Sequence, residues 1–431
     1  MLPQAQYNDR PIGIIFLYTL FKLFGLNSFL DHLVLLALHL FNTLLVYLVV
    51  NKFLIYLAKP NHIIPWLSAI IFGVWPKSLF AIQWDAAIFD LLAATITLII
   101  LNLFLDNKLG SRYQGFNNIL VIILYYTALR TKEITIGIPI IILLIEIIPV
   151  LSNYRMGDWI KKIRISNTIL ALLCIMLVYF SLLMYLGRNN AGTANVNSPY
   201  YYHFSIIAMI KNYLKYISLY YDYSSFNFMF TKFTVYSYLF IVLFFAVLLY
   251  SVYKLFRNNP ILITFFFFFT CMIAPVLPMV NMQHVLYLYV PSIFLGVILA
   301  LLINDLLVLI QPKPLFLYSG LILVVGLLLS LNYLRSVVQF RTGWLSMGQG
   351  CEISISDLKK LPTPPKGTTI YINNIQGFNV FSVYGPGFVN NIIFNDPTIK
   401  TVLNPSNIVY TNPYFVLNYN NFHVNMVARS K

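Results

Sequence analysis

Charge is what this sequence has least of. Only 10% of its 431 residues are charged, with 13 Asp and Glu against 28 Lys and Arg, where soluble domains carry about a quarter. A chain that is 59% hydrophobic with so few charges cannot cover a water-facing surface. That excludes an ordinary soluble protein and leaves an all-α polytopic membrane protein as the expected class. Cysteine is scarce too. Cys174 and Cys271 lie in apolar runs and Cys351 near the start of the C-terminal segment, with neither metal-ligand spacing nor a disulfide framework. No carboxylate pair has ligand-like spacing, so no residue is assigned as a metal ligand and a divalent-metal requirement is left open. No cleavable signal peptide is visible, because residues 1–10 are polar, lack a basic n-region and lead to no small-residue cleavage site. No internal repeat of the solenoid kind is present. The net charge of +15 sits in short clusters between apolar blocks and forms no stripe or tail. This argues against a nucleic-acid partner and for membrane lipids and a positive-inside signal.

What is there in quantity is apolar blocks. About 20 residues cross about 30 Å of hydrocarbon, and the sequence offers some ten such blocks, near 29–50, 62–76, 86–105, 116–131, 134–150, 166–187, 233–256, 260–278, 284–304 and 314–334. Residues 12–26, interrupted by Lys22 and Gly25, read as an interfacial helix. The connecting loops at 51–61, 106–115, 151–165, 254–259 and 305–313 are basic or nearly so, and the positive-inside rule turns them to the cytoplasm. The alternate set, with the C-terminal segment, then shares the outer face. The Tyr-rich stretches at 200–204 and 213–223 suit the headgroup level, as an anchoring interfacial helix or as a lid or groove for an acceptor. Residues 335–361 look helical and amphipathic, and Pro362 to Gly367 makes a stiff connector. From Thr368 onward short β-type runs separated by Asn, Gly and Pro predict a small β-rich extracytoplasmic domain. The organisation is therefore a multispanning domain over 1–334 and a smaller unit over 335–431.

The outer loops hold the polar groups: Asp9 and Arg10, Asp31 and His32, Asp85 and Asp90, Arg130, Lys132 and Glu133, Gln283 and His284. Each has a structural reading. A carboxylate at a helix N-terminus offsets the macrodipole for about 0.3–1 kcal/mol, and Arg130 and Lys132 can snorkel. His39 and Asn42, one turn apart on a helix face, read first as an interhelical bond. The clustering of both charge signs on one face favours a site for a sugar-phosphate, with cations for the phosphate and a carboxylate as base for a hydroxyl.

In order, these motifs resemble the multispanning C-type superfamily of glycosyltransferases, nearest its protein O-mannosyltransferase-like and tetratricopeptide-bearing branches. The resemblance runs over about residues 9–305. It rests on Arg10-Pro11 opening an interfacial helix, HLFNTLLVY from His39 to Tyr47, the Pro-containing loop and acidic helix start from Trp75 to Asp90, the Lys132-Glu133 turn, and LYLYVPS from Leu286 to Ser292. It implies inverting transfer of a sugar from a polyprenyl-phosphate carrier to an acceptor hydroxyl of a protein or glycan. By this resemblance Asp9 is the catalytic carboxylate, and Arg10, Asp85, Asp90, Lys132, Glu133, Gln283, His284 and Tyr287 contact substrate. There are three departures. Relatives carry their base just after a first helix that precedes the Arg-Pro, so this chain is expected to lack that helix and keeps only Asp9 nearby. Gln283-His284 stands where relatives have an acidic-Arg pair, and the tetratricopeptide repeats are replaced by the small C-terminal unit. The rival readings are a transporter or flippase for lipid-linked sugars, which predicts charges at mid-membrane and broken helices, and a catalytically inactive scaffold.

Overall fold

The computed structural model describes residues 10–25, 27–75, 87–153, 165–185, 201–221, 232–281, 283–310, 345–374, 393–404, 413–421 and 423–429, with single positions among 78–84 and 320–334. The chain divides into two compact units, Met1–Asn332 and Tyr333–Lys431.

The first unit is helical. Its helices are α1 (Pro11–Phe24), α2 (Ser28–Tyr56), α3 (Ile63–Val74), α4 (Ile88–Lys108), α5 (Gln114–Leu129), α6 (Ile138–Asn153), α7 (Asn167–Tyr185), α8 (Ile206–Tyr221), α9 (Val235–Phe256), α10 (Ile261–Ile273) and α11 (Tyr289–Ile310). Among the described residues four stretches are long and apolar enough to cross a membrane: Phe29–Tyr56, Ile88–Lys108, Val235–Phe256 and Val285–Ile310. The blocks expected near 62–76, 116–131, 166–187 and 260–278 form apolar but shorter helices. The block at 134–150 becomes a 3-10 turn, Glu133–Gly137, followed by α6 with Pro149 inside it. The tenth block, 314–334, falls largely outside the described residues. Helix length and composition thus give four candidate spans among the described residues, and the count of ten is not reached on that basis.

Local signals explain the helix ends. Asn27 caps α2 by accepting from the Leu30 amide at 3.3 Å, with Asp31 in the first turn. Beyond residue 50 the helix continues to Tyr56, because Lys52 finds Asp106 of α4 at 2.8 Å instead of entering solvent. A Thr234–Ser237 capping box opens α9. Along that helix only Ser237, Phe244 and Ser251 are buried, a narrow seven-residue stripe that touches the bundle. Its remaining apolar face suits lipid contact. Helix α1 is similar, burying only Gly13 and Leu20.

The described ion pairs of this unit fall into two groups, one at each end. At one end Lys52 meets Asp106, Lys108 meets Glu146, and Lys254 meets Asp305. Lys59 reaches Asn259, Asn61 reaches Asn304, and the Ser166 amide reaches Glu146 at the same end. The basic loops are therefore tied to one another. At the other end Arg10 meets Glu133 and Lys132 meets Asp90. Asp90 and Asp106 lie sixteen residues apart on α4, or about 24 Å at 1.5 Å per residue, close to the thickness of a hydrocarbon layer.

Between the ends lies a closed polar network. His39 Nε2 donates to the Gly73 carbonyl at 3.1 Å, so Nδ1 accepts from the Tyr289 hydroxyl at 2.9 Å. Asn42 Nδ2 donates to that same hydroxyl at 3.2 Å and to the Leu91 carbonyl at 3.1 Å, while its Oδ1 accepts from Thr95 at 2.7 Å. Four helices, α2, α3, α4 and α11, are fastened by groups that satisfy one another, so His39 and Asn42 do interhelical work. Asn42→Ala is expected to cost about 1–3 kcal/mol by removing three buried hydrogen bonds, to Leu91, Tyr289 and Thr95. The thermal transition in detergent should fall accordingly, and an unchanged transition contradicts the network.

The second unit pairs helix α12 (Leu345–Lys360) with a four-stranded sheet of β1 (Thr369–Asn373), β2 (Lys400–Leu403), β3 (Tyr414–Asn420) and β4 (His423–Arg429), ordered β2-β1-β3-β4. Strand β1 runs parallel to both neighbours, with Ile370 beside Thr401 and Phe415, and β3–β4 is antiparallel. Strands β3 and β4 form a hairpin, turned at Asn421 with φ +46°. Leu358 of α12 packs on Ile370, Ile372, Phe415 and Leu417. Asp357 accepts from His423 Nδ1 at 2.9 Å, pinning β4 to the helix. The runs at 378–385 and 407–412 lie outside the described residues.

Candidate functional site

Four segments remote in sequence bring their polar groups together at one end of the helical unit. The first is the start of α1. Arg10 precedes Pro11, which opens the helix with its φ already fixed. Gly13 lies so close to the Phe89 ring that a Cβ there would stand 2.2 Å from it. Only glycine lets α1 seat against the start of α4. Arg10 then reaches over Phe89, 5.9 Å from its centroid, to Glu133.

The Arg10–Glu133 contact is a fork. Nη2 donates at 2.7 Å, and Nε donates to both carboxylate oxygens at 3.1 Å. Both side chains are about one-third exposed (32% and 29%). Nη1, the other edge of the guanidinium, makes no hydrogen bond among the described residues. Burial pushes the Glu133 carboxyl up, but the charge and hydrogen bonds of Arg10, with Lys132 assisting, outweigh it and hold it below the usual carboxylate range.

Lys132 and Asp90 form the second pair, and this one is buried, at 6% and 1% side-chain exposure. Lys132 therefore does not snorkel. Asp90 sits in the first turn of α4 and Glu133 opens the 3-10 turn, so both also face helix N-termini. Ala128 accepts the Lys132 amide at 2.9 Å and Lys132 accepts the Thr135 hydroxyl at 2.8 Å, which fixes the bend. Behind it, a Cβ on Gly137 would lie 2.4 Å from the Cys271 carbonyl, so the turn packs directly on the α10 backbone. Asp90 Oδ2 is buried without a hydrogen-bond partner among the described residues.

The remaining contributors come from the 3-10 turn Val285–Leu288. The Lys132 ammonium lies 5.0 Å from the Tyr287 ring centroid. His284 caps this turn through Nδ1, which accepts from the Leu286 amide at 3.1 Å. That bond requires a lone pair on Nδ1, so the proton resides on Nε2. Burial, reinforced by the charge of Lys132, lowers the His284 pKa to about 3. The neutral imidazole thus has Nδ1 as its acceptor and Nε2 as its donor. Gln283 is drawn aside: its Oε1 accepts from Lys215 of α8 at 3.1 Å, and its Nε2 donates to the Met279 and Val280 carbonyls.

Of the residues expected from sequence, Arg10, Asp90, Lys132, Glu133, His284 and Tyr287 meet, and Gln283 is adjacent. Asp9 and Asp85 lie outside the described residues. Asp31 and His32 stand at the start of α2, and Arg130 caps the end of α5. Phe89, Trp84 and Lys215 also contribute without having been singled out. Nothing in their spacing distinguishes them from lipid-facing aromatics or a snorkelling lysine. Among the described residues no group of His, Cys, Asp and Glu suits a metal ion. No protein-family model, curated protein or solved structure matches the chain.

Proposed function

We propose that the chain is a membrane glycosyltransferase that moves a sugar from a polyprenyl-phosphate carrier to an acceptor hydroxyl on the outer face of a plasma (inner) membrane. One observation carries the reading: two cations and two carboxylates from segments far apart in sequence share one end of the bundle. A lipid phosphate needs cations at the depth of the headgroups, and displacement at the anomeric carbon needs a carboxylate close by. In this scheme Arg10, through its open Nη1 edge, and Lys132 hold the phosphate. Asp9, next in sequence to Arg10, takes the acceptor proton. The acceptor oxygen forms a bond to the anomeric carbon as the bond to phosphate oxygen breaks, the electron pair leaves with polyprenyl phosphate, and configuration inverts. Glu133 and Asp90 keep the cations in place before substrate arrives. No metal or other cofactor enters the scheme.

The transporter alternative is less well supported, because the mid-bundle polar groups are closed on one another and the described ion pairs sit at the two ends. About ten crossings, with the mutually tied basic loops in the cytoplasm, complete the reading. A reporter inserted in the 151–165 loop should be active only as a cytoplasmic fusion, and periplasmic activity contradicts the orientation. Donor use is the chemical test. The protein in nanodiscs should release polyprenyl phosphate from a polyprenyl-phosphate hexose, whereas an unconsumed donor in the presence of acceptor-containing membranes contradicts it.

A further inference from the structure

At the opposite end of the bundle, helices α2 and α9 stop in the same way. Each is followed by a residue in the left-handed region, Ala58 at φ +52° and Asn258 at φ +57°. The next amide then turns back on the last turn, Lys59 donating to the Leu54 carbonyl and Asn259 to the Lys254 carbonyl, both at 2.9 Å. The two helix ends meet where Lys59 Nζ donates to Asn259 Oδ1 at 3.3 Å. Charge at this junction does not balance. Elsewhere at the same end Lys52 and Lys108 each have a carboxylate of their own, Asp106 and Glu146. Here Lys254 takes Asp305 at 3.0 Å, an oxygen that also accepts from the Tyr250 hydroxyl. Lys59 has no carboxylate partner among the described residues, and burial together with the charge of Lys254 lowers its pKa. Arg257, one turn beyond Lys254, bonds only the neutral Tyr253 hydroxyl, at 3.2 Å, among the described residues. Three cations thus share one carboxylate, and Lys59 and Arg257 are exposed. An apolar track leads up to them, because Val242, Leu249 and Phe256, seven residues apart along α9, are all exposed.

We propose that this junction is a binding site for an anionic phospholipid, with Lys59 and Arg257 on the headgroup phosphate and the acyl chains along the exposed stripe of α9. Lys254, held by Asp305, adds its charge without leaving its partner. Cations just beyond the end of an apolar span lie at the depth of lipid phosphates, where each basic residue attracts an anionic headgroup. The track that ends at the cations favours a lipid over a free anion, and the surplus of positive charge favours an anionic headgroup over a zwitterionic one. The site is independent of the transfer reaction, since it shares no residue with the Arg10–Glu133 and Lys132–Asp90 pairs.

Native mass spectrometry of the detergent-purified full chain tests it, with phosphatidylglycerol and phosphatidylcholine of identical acyl chains supplied together. The wild type should retain phosphatidylglycerol in preference. Lys59→Gln and Arg257→Gln should each lower that preference about fivefold, the effect of one basic residue at the membrane surface, and the double variant should lose it. Lys59→Arg should keep it. Arg112→Gln removes the same charge from another basic loop, where Arg112 lies over the Tyr113 ring, and should leave the preference unchanged. Equal retention of the two lipids by the wild type overturns the site, as does a wild-type preference in the double variant. An equal fall in Lys59→Gln, Arg257→Gln and Arg112→Gln also overturns it, because that pattern marks attraction by the whole basic face.

Discussion

Lys132→Ala is expected to destabilise the helical unit by about 3–5 kcal/mol, the cost of stranding one member of a buried ion pair. Asp90 keeps 1% side-chain exposure and has no other hydrogen-bonding partner among the described residues. Its carboxylate must then either take up a proton or pull the start of α4 toward water. The double variant Asp90→Asn/Lys132→Met removes both charges and keeps similar volumes, so most of the lost stability should return. Its donor consumption should not return, because one of the two cations proposed for the phosphate is gone. Thermal transitions in detergent for the single and double variants, read beside donor consumption, separate scaffolding from substrate binding. A Lys132→Ala transition equal to wild type contradicts the buried pair. A double variant with wild-type turnover contradicts its place in the site.

Arg10→Ala should lower donor use about a hundredfold, the loss of one or two charge-assisted hydrogen bonds to phosphate at about 1.5–3 kcal/mol each. Most of that loss should lie in KM, since the proposed role of Arg10 is to hold donor before and during displacement. Arg10→Lys keeps the charge without the fork and should fall between Arg10→Ala and wild type. Because Arg10→Ala also leaves Glu133 without its cation, Arg10→Ala/Glu133→Gln is the needed companion. It should restore the thermal transition but not turnover. A dependence on pH follows from the same pair. The folded-state pKa of Glu133 lies below its unfolded value, so its contribution to stability is fully present above the ordinary Glu range, near pH 4–5, and is lost as pH falls through the depressed value. Glu133→Gln should remove that acid-side loss.

The position of these groups was more legible in the sequence than their pairings. In a chain so poor in charge, Arg10, Asp90, Lys132 and Glu133 had to sit at helix ends or in a common site, since lipid tolerates neither sign alone. Which carboxylate serves which cation was not readable, because the partners Arg10 and Glu133 are 123 residues apart. Asn42 stood out as polar within an apolar helix, yet its partners Leu91, Thr95 and Tyr289 are an ordinary leucine, threonine and tyrosine in sequence. Lys52 marks a loop from residue 51 by its charge alone, yet α2 runs six residues further, to Tyr56. Only Asp106, brought alongside by packing, lets the helix continue. The same holds for β1 and β2. Their apolar runs were visible, but a parallel pairing across residues 374–399 carries no local signal.

Membranes containing the chain, supplied with polyprenyl-phosphate hexose labelled in the sugar, should pass label into a non-lipid product. Membranes with Asp90→Asn/Lys132→Met, matched for folded protein, should not. Label that stays on the lipid with the wild-type chain, or moves equally with the double variant, contradicts the assignment of this end of the bundle as a glycosyl-transfer site.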